Sequence, residues 1–158
     1  MQLENPKPQV FQTGNFEFTQ QYIKRKQQEY DLDVEDPIDE YEIFDLIKTI
    51  KDPEHSFTLE QLNIVNPSDI QIKGNRVMVY FTPTIPHCSM AQTIGLTLKI
   101  KLMRSLPKNY KVYVEIKQNM HIKEVELNKL FQDKERVLAA IENQQLLKII
   151  NFGIQGLR

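Results

Sequence analysis

The sequence predicts an α+β fold, in which a sheet of three strands or slightly more packs against helices. Two alternating apolar runs flank Gly74-Asn75, a pair that favours a tight hairpin turn, and a third alternating run follows at residues 110–118. The C-terminal third carries apolar residues at helical spacing. The resulting order of helix, two strands, helix, strand and helices is typical of a small single domain with its helices packed on one sheet.

Composition indicates the broad class of protein. The chain has 158 residues, of which 41% are hydrophobic and 26% charged, and its formal net charge is -1. This balance creates no field that would attract nucleic acid or an anionic membrane. No apolar run has the length expected of a signal peptide or a membrane span. We therefore expect a cytoplasmic protein, with or without a nuclear pool, that binds neither nucleic acid nor membrane directly.

The N-terminal segment differs from the rest of the chain. Residues 1–36 are rich in Gln and interrupted by Pro, which predicts a flexible tail that is disordered or ordered only by a partner, followed by a folded domain at 37–158. Eight acidic residues with no basic residue among them cross this boundary, between Asp31 and Asp45. They favour a solvated helix start, and a docking surface is the alternative.

The first helix is predicted to run from Pro37 to Lys51. Asp36 is a candidate N-cap, and Pro37 fits the first helical position. Thr58 and Gln61 then have the spacing of a capping box, which predicts a short helical turn. The apolar stripe of the first helix consists of Tyr41, Ile43, Phe44, Leu46, Ile47 and Ile50.

The later strands and helices have clearer patterns. From Glu124 to Phe152 the spacing is helical, with breaks predicted near Asp133 and near Asn143. Asp133 would cap the helix that follows it, and Arg136 would point outward. The strand residues expected to face the core are Val77, Val79, Phe81, Val112, Val114 and Ile116.

The segment 94–106 has two interpretations. Its alternation favours a strand, whereas Leu98 and Leu102 also fit helical spacing. Ser89 and Gln92 form a candidate capping box, and good helix formers follow Ser89, so we predict a helix here. This helix would have to bury two of its faces.

A basic cluster overlaps this segment. On a helix, Lys101 and Arg104 lie three positions apart and could form one patch for an acidic partner, although a solvated face would look the same. The cluster has no acidic member and comprises Lys99, Lys101, Arg104, Lys108 and Lys111.

Cys88 is the single cysteine of the chain and precedes the predicted helix. A thiol at this position would face unpaired backbone N–H groups and the positive end of the helix dipole, which lower a thiol pKa. A protonated His87 would add to this effect, and Pro83 and Pro86 would stiffen the loop. The alternative is that Cys88 is a small buried apolar residue.

One cysteine limits the chemistry that the chain can perform. A [4Fe-4S] cluster is usually held by four thiolates, so Cys88 would share any cluster with a second copy, a partner or a small thiol, or would act in transfer. A zinc site built from Cys88 with His55, His87 and His121 is a weaker alternative. Only His87 and Cys88 are close in sequence, and adjacent residues seldom bind one tetrahedral ion together. A cysteine hydrolase would need a base and an oxyanion-hole motif, and we identify neither.

Three stretches occur in the order and spacing of one known family: YEIFDLIKTIKDPEHSFTLEQLNIV, FTPTIPHCSMAQTIGLTLKIKLMRSLP and NKLFQDKERVLAAIEN. They resemble the component-2 family of targeting-complex subunits in cytosolic iron-sulfur assembly (CIA). The resemblance extends from Glu42 to Asn151, and TIPHCSM resembles the general-purpose branch of that family. Asn119-Met120-His121 stands where the family usually has Gly-Thr-His, and Asn119 tolerates a left-handed backbone better than most residues.

The resemblance implies a protein that is not an enzyme. It implies partners in a WD40-repeat scaffold, a HEAT-repeat adaptor and apo iron-sulfur clients such as DNA polymerases, helicases and primase, and hence a link to chromosome segregation. A [4Fe-4S] cluster would be bound transiently and shared, with a homodimer as one way to share it. Cys88 would be the cluster ligand or transfer thiol, supported by His87 and His121, with Lys101, Arg104 and Arg136 as candidate partner-binding residues. The alternative is a pure scaffold in which Cys88 is structural.

Overall fold

The computed structural model describes residues 8–11, 23–24, 38–86 and 90–155. Within these ranges the fold is α+β, as predicted, with five helices and one three-stranded sheet. The elements are α1 (Glu40–Ile47), β1 (Ile70–Lys73), β2 (Arg76–Phe81), α2 (Ala91–Ser105), β3 (Lys111–Ile116), α3 (Glu124–Gln132), α4 (Lys134–Glu142) and α5 (Gln144–Gln155), with a 3₁₀ turn at Pro67–Asp69. None of these helices has the length and apolar content to span a bilayer.

The first helix is shorter than predicted at both ends. Its N-cap is Asp39 rather than Asp36, because Asp39 has an extended backbone and its Oδ1 accepts the N–H groups of Tyr41 and Glu42 at 3.0 Å each. The helix ends at Ile47 and does not reach Lys51, which instead forms a β-bridge with Thr58. At the N-terminus two aspartates, Asp36 and Asp39, could each have capped the helix. At the C-terminus the pairing of Lys51 with Thr58 accompanies the early end of the helix.

The sheet has the order β1-β2-β3. The β1-β2 hairpin turns at Gly74, whose φ of 60° is the left-handed conformation that glycine favours, and pairs Ile70 with Val79. Strand β3 lies parallel to β2, with Val79 opposite Val114, so α2 is the crossover that connects them. The six strand residues predicted to face the core are all buried.

Helix α2 is buried on nearly all sides, which confirms both the helix prediction and the need for two covered faces. It packs against α1, β3, α3 and α5. A Cβ atom at Gly95 would overlap the ring of the fully buried Phe131 in α3, so glycine permits this close approach. Phe131 in turn packs against Phe81 of β2, with ring centroids 6.1 Å apart.

Lys99 of α2 corrects the predicted basic cluster. Its side chain is only 8% exposed, and its Nζ donates to the carbonyl oxygens of Val112 at 3.3 Å and Phe131 at 2.5 Å. Desolvation on burial, and to a smaller extent the positive charge of Lys134, lower the pKa of Lys99 from its ordinary value of 10.5. Lys99 therefore ties α2 to β3 and to the end of α3, and does not belong to a surface patch.

The boundaries of the C-terminal helices agree with the sequence. Asp133 Oδ1 accepts the N–H groups of Glu135 and Arg136 as the N-cap of α4, and Asn143 separates α4 from α5. Asn128 of α3 covers the outer edge of β3, because its Oδ1 accepts the Ile116 N–H at 2.8 Å. The predicted capping box also forms, with the Gln61 N–H donating to Thr58 Oγ1 at 3.2 Å.

Candidate functional site around the β2-α2 loop

His87, Cys88 and Ser89 lie outside the described residues, so the site is defined by what surrounds them. On one side the β2-α2 loop is described as far as Pro86, whose carbonyl oxygen accepts the Ile122 N–H at 2.9 Å. On the other side helix α2 begins at Ala91. The chain is thus fixed on both sides of the cysteine. Before it, Pro86 is bonded to the loop that precedes α3, and after it, Ala91 begins helix α2.

The start of α2 differs from the predicted capping box. The N-cap is Met90 rather than Ser89, and its thioether makes no hydrogen bond to the first turn. The first helical backbone bond joins the Ile94 N–H to the Met90 carbonyl oxygen at 2.9 Å. Ser89, the predicted cap, lies outside the described residues.

His121 lies beside this loop, in the segment that Pro86 contacts. Its side chain is 9% exposed, and its Nδ1 accepts the Lys123 N–H at 3.0 Å. This hydrogen bond orients the His121 ring, and the next residue, Ile122, bonds to Pro86 of the β2-α2 loop.

Asn119 holds the turn that leads to His121. Its φ is 64°, the left-handed conformation expected for the position where the resembling family has glycine, and its N–H donates to Glu124 Oε2 at 2.6 Å. The Met120 side chain is 41% exposed. Asn119 thus adopts a left-handed backbone without a glycine at this position.

A cavity of about 350 Å³ borders the described part of the β2-α2 loop and is lined in part by Phe11, His55, Pro83 and Ile85. The Phe11 N–H donates to the Gln61 carbonyl oxygen at 2.8 Å, so residues 8–11 contact the folded domain. His55 and His121 line different cavities, and the structure does not bring these two histidines into one.

No group of three His, Cys, Asp or Glu side chains within the described ranges has the geometry to hold a metal ion. The zinc alternative would require His87 and Cys88, which lie outside those ranges. The candidate partner-binding residues are on the surface of two helices. Arg104 donates from its guanidinium to Asn151 Oδ1 at 2.9 Å, Lys101 is half-buried, and Arg136 pairs loosely with Asp133 at 3.5 Å.

Comparison with known proteins supplies the family. Residues 40–116 match the family model described as iron-sulfur cluster assembly protein. The chain is 54% identical over 125 residues to the MIP18 family protein galla-2 of Drosophila melanogaster, covering 78% of this chain and 80% of that protein. The chain belongs to the MIP18 family of iron-sulfur cluster assembly proteins.

Two further relatives carry the component-2 name. The cytosolic iron-sulfur assembly component 2B of Mus musculus is 54% identical over 125 residues, covering 78% of this chain and 77% of that protein. The protein of the same name in Dictyostelium discoideum is 43% identical over 159 residues, covering 96% of this chain and 98% of its own length. The family membership predicted from the three quoted stretches is therefore confirmed.

The sequence did not identify the exposed apolar residues Ile122 and Val125. For Val125 the sequence did contain a signal, because this residue falls outside the helical stripe formed by Leu127, Leu130 and Phe131. An apolar residue off the buried stripe is a candidate for contact with another molecule.

Proposed function

We propose that this protein is a cytoplasmic subunit of a targeting complex that delivers [4Fe-4S] clusters to apo-proteins, and that Cys88 is its reactive thiol. The observation that supports this proposal most is the 54% identity to a cytosolic iron-sulfur assembly component over 78% of the chain. The cluster is the cargo of the complex, and the protein acts as an adaptor rather than as an enzyme.

The number of cysteines defines the role of the thiol. Four thiolates usually hold a [4Fe-4S] cluster, and the chain has one cysteine. Cys88 therefore contributes one ligand to a shared cluster, or receives and passes on a cluster whose other ligands come from elsewhere. Fixed positions on both sides of the loop, at Pro86 and at the start of α2, favour reproducible presentation of that thiol.

Replacement of Cys88 by Ser tests this role. We expect Cys88→Ser to fold with a loss of less than about 1 kcal/mol, because the size of the side chain is nearly unchanged. The variant should bind its partners but leave client iron-sulfur enzymes short of cluster, since an alcohol is not a thiolate at neutral pH. The measurement is the activity and iron content of client enzymes in cells whose only copy of the protein is the variant, with Ser89→Ala as the matched control. Normal client activity in the Cys88→Ser cells would favour the pure scaffold.

The proposed partners are tested separately. Anaerobic affinity purification from the protein's own cells should recover a WD40-repeat protein and a HEAT-repeat protein, together with client proteins from cytoplasm and nucleus. Recovery of the soluble protein with neither repeat protein would contradict the targeting-complex proposal. Iron analysis of the same eluate shows whether a cluster copurifies with the complex.

A further inference from the structure

We propose that the groove formed by the loop before α3, the first turns of α3 and the start of α4 binds an acidic, apolar segment of a partner protein. This groove is called the α3 groove below. It measures about 590 Å³, and among its lining residues are Ile122, Val125, Lys123, Lys129 and Arg136. The inference deepens the proposed adaptor function and rests on it for the biological role of the segment.

The apolar side chains of the groove are unusually exposed. Ile122 is 74% exposed and Val125 is 68% exposed, the two highest values among the large apolar residues in the described ranges. They are three positions apart and open into the same groove. Both therefore leave apolar surface in water that a partner could remove from solvent.

The loop that presents Ile122, and that leads into the helix carrying Val125, is held in place by hydrogen bonds. The Ile122 N–H donates to the Pro86 carbonyl oxygen, the Lys123 N–H to His121 Nδ1, and the Asn119 N–H to Glu124 Oε2. Exposure of Ile122 is thus a property of a fixed backbone, rather than of a loose terminus. A preorganised surface loses less conformational entropy when it binds, which favours a binding role for this loop.

The charges that line the groove favour an acidic segment. Three cations, Lys123, Lys129 and Arg136, stand against two carboxylates, Glu124 and Glu126. Glu124 accepts the Asn119 N–H at 2.6 Å and keeps its negative charge, so the cations of the lining outnumber its carboxylates by one. The ion pair of Arg136 with Asp133 is long, at 3.5 Å, and both side chains are exposed, so a partner carboxylate can replace it at small cost.

The position of the groove connects it to the candidate site. The same Ile122 N–H that fixes the loop binds Pro86, two residues before Cys88 in sequence. A segment that contacts Ile122 would therefore lie beside the β2-α2 loop. This arrangement would place a partner protein next to the proposed transfer thiol.

Selection of peptides from a random display library on the purified full-length protein tests the inference. We expect the enriched peptides to combine apolar residues with Asp or Glu. Their affinity should fall at least about tenfold for the double variant Ile122→Asp with Val125→Asp, because both apolar contacts become charged and solvated. Lys129→Glu with Arg136→Glu should weaken binding several-fold, and wild-type binding should weaken as salt is raised.

Matched variants make the outcome decisive. Leu138→Asp changes a residue of α4 that is 58% exposed but lies outside the groove, and Lys148→Glu reverses a cation on α5; both should bind the peptides as the wild type does. All variants alter exposed side chains, and thermal unfolding should confirm that they fold. Enriched peptides that are basic, that bind the groove variants normally, or that never appear would overturn the inference. Self-association of the wild type that Ile122→Asp abolishes would also overturn it, by assigning the groove to a second copy.

The failure of this inference is distinguishable from failure of the proposed function. Peptide binding is measured without iron or clients, and Cys88→Ser should bind the selected peptides with unchanged affinity. A Cys88→Ser protein that loses peptide binding would contradict a groove built from Ile122, Val125 and the α3-α4 cations. Normal cluster delivery by the groove variants would leave the thiol in its role and remove the groove from the mechanism.

Discussion

Helix α2 buries a charged side chain, whereas the loop before α3 exposes an apolar one. In α2 a lysine, Lys99, is 8% exposed, whereas in the loop an isoleucine, Ile122, is 74% exposed. Lys99 is buried because two backbone carbonyl oxygens accept its ammonium hydrogens. Ile122 is exposed because hydrogen bonds fix the backbone on which it lies.

The difference separates positions that stabilise the fold from positions that are available for contact. Ten residues of α2 are buried, including two threonines and Lys99, whereas Val137 is the one buried residue of α4. Substitutions in or against α2 should therefore change the free energy of unfolding, and those of the exposed side chains Ile122 and Val125 should leave it nearly unchanged. The stability predictions below test this division.

The largest effect is expected where α3 packs on α2. Phe131 is fully buried against Gly95 and Phe81, so Phe131→Ala should lower the free energy of unfolding by about 3–5 kcal/mol. Val125→Ala is the matched control on the same helix. Because Val125 is 68% exposed, its loss should cost within about 0.5 kcal/mol. Urea denaturation of both variants measures the difference, and equal costs would refute the proposed division.

A smaller effect, dependent on pH, is expected for Lys99. Its pKa is lowered in the folded protein relative to 10.5, so between the folded and unfolded values the unfolded chain binds more protons. The unfavourable contribution of the buried ammonium is therefore complete below the folded pKa and disappears as pH rises toward 10.5. The stability of the wild type relative to Lys99→Met should increase over this range, because methionine has no proton to lose.

Urea titrations at about pH 7 and about pH 10 measure this change, and the exposed variant Lys148→Met, measured in parallel, controls for the loss of a lysine elsewhere on the surface. A wild type that becomes less stable than Lys99→Met as pH rises would contradict the assignment. The same series also tests whether the Phe131 and Val112 carbonyl oxygens need a donor, since Lys99→Met leaves both without the ammonium at every pH.

Much of the fold could be predicted because its signals are local. Asp133 and Asn143 mark helix boundaries by capping chemistry, and Gly74-Asn75 marks the hairpin by backbone preference. The same local signal was insufficient at Asp36, because Asp39 competes for the cap with the same functional group. Helix α2 could be assigned only by weighing helix formers against an alternation that fits both structures.

The contacts that define the site depend on tertiary structure and could not be predicted in the same way. A lysine on a helix usually indicates a surface, and nothing beside Lys99 in sequence shows that Val112 and Phe131 lie near its amine. The bond from Ile122 to Pro86 likewise joins segments that are distant in sequence. The sequence predicted Cys88 as the reactive residue, and the reactivity of its thiol stays a prediction.

The smallest stability effect is expected at Asn119, where the loop turns before His121. Its φ of 64° is costly for a side chain with a Cβ atom and less so for asparagine, so Asn119→Val should lower the free energy of unfolding by about 1–2 kcal/mol. Asn119→Gly restores the family residue and should change stability by less than about 0.5 kcal/mol, because relief of the left-handed strain is offset by a more flexible unfolded chain.

Hydrogen exchange of the Ile122 amide adds a second measurement. Its bond to Pro86 should be retained in Asn119→Gly and weakened in Asn119→Val, since the turn positions both partners. Equal stability and equal protection in the two variants would show that the exposure of Ile122 does not depend on this turn, and the contrast with α2 would then need another cause.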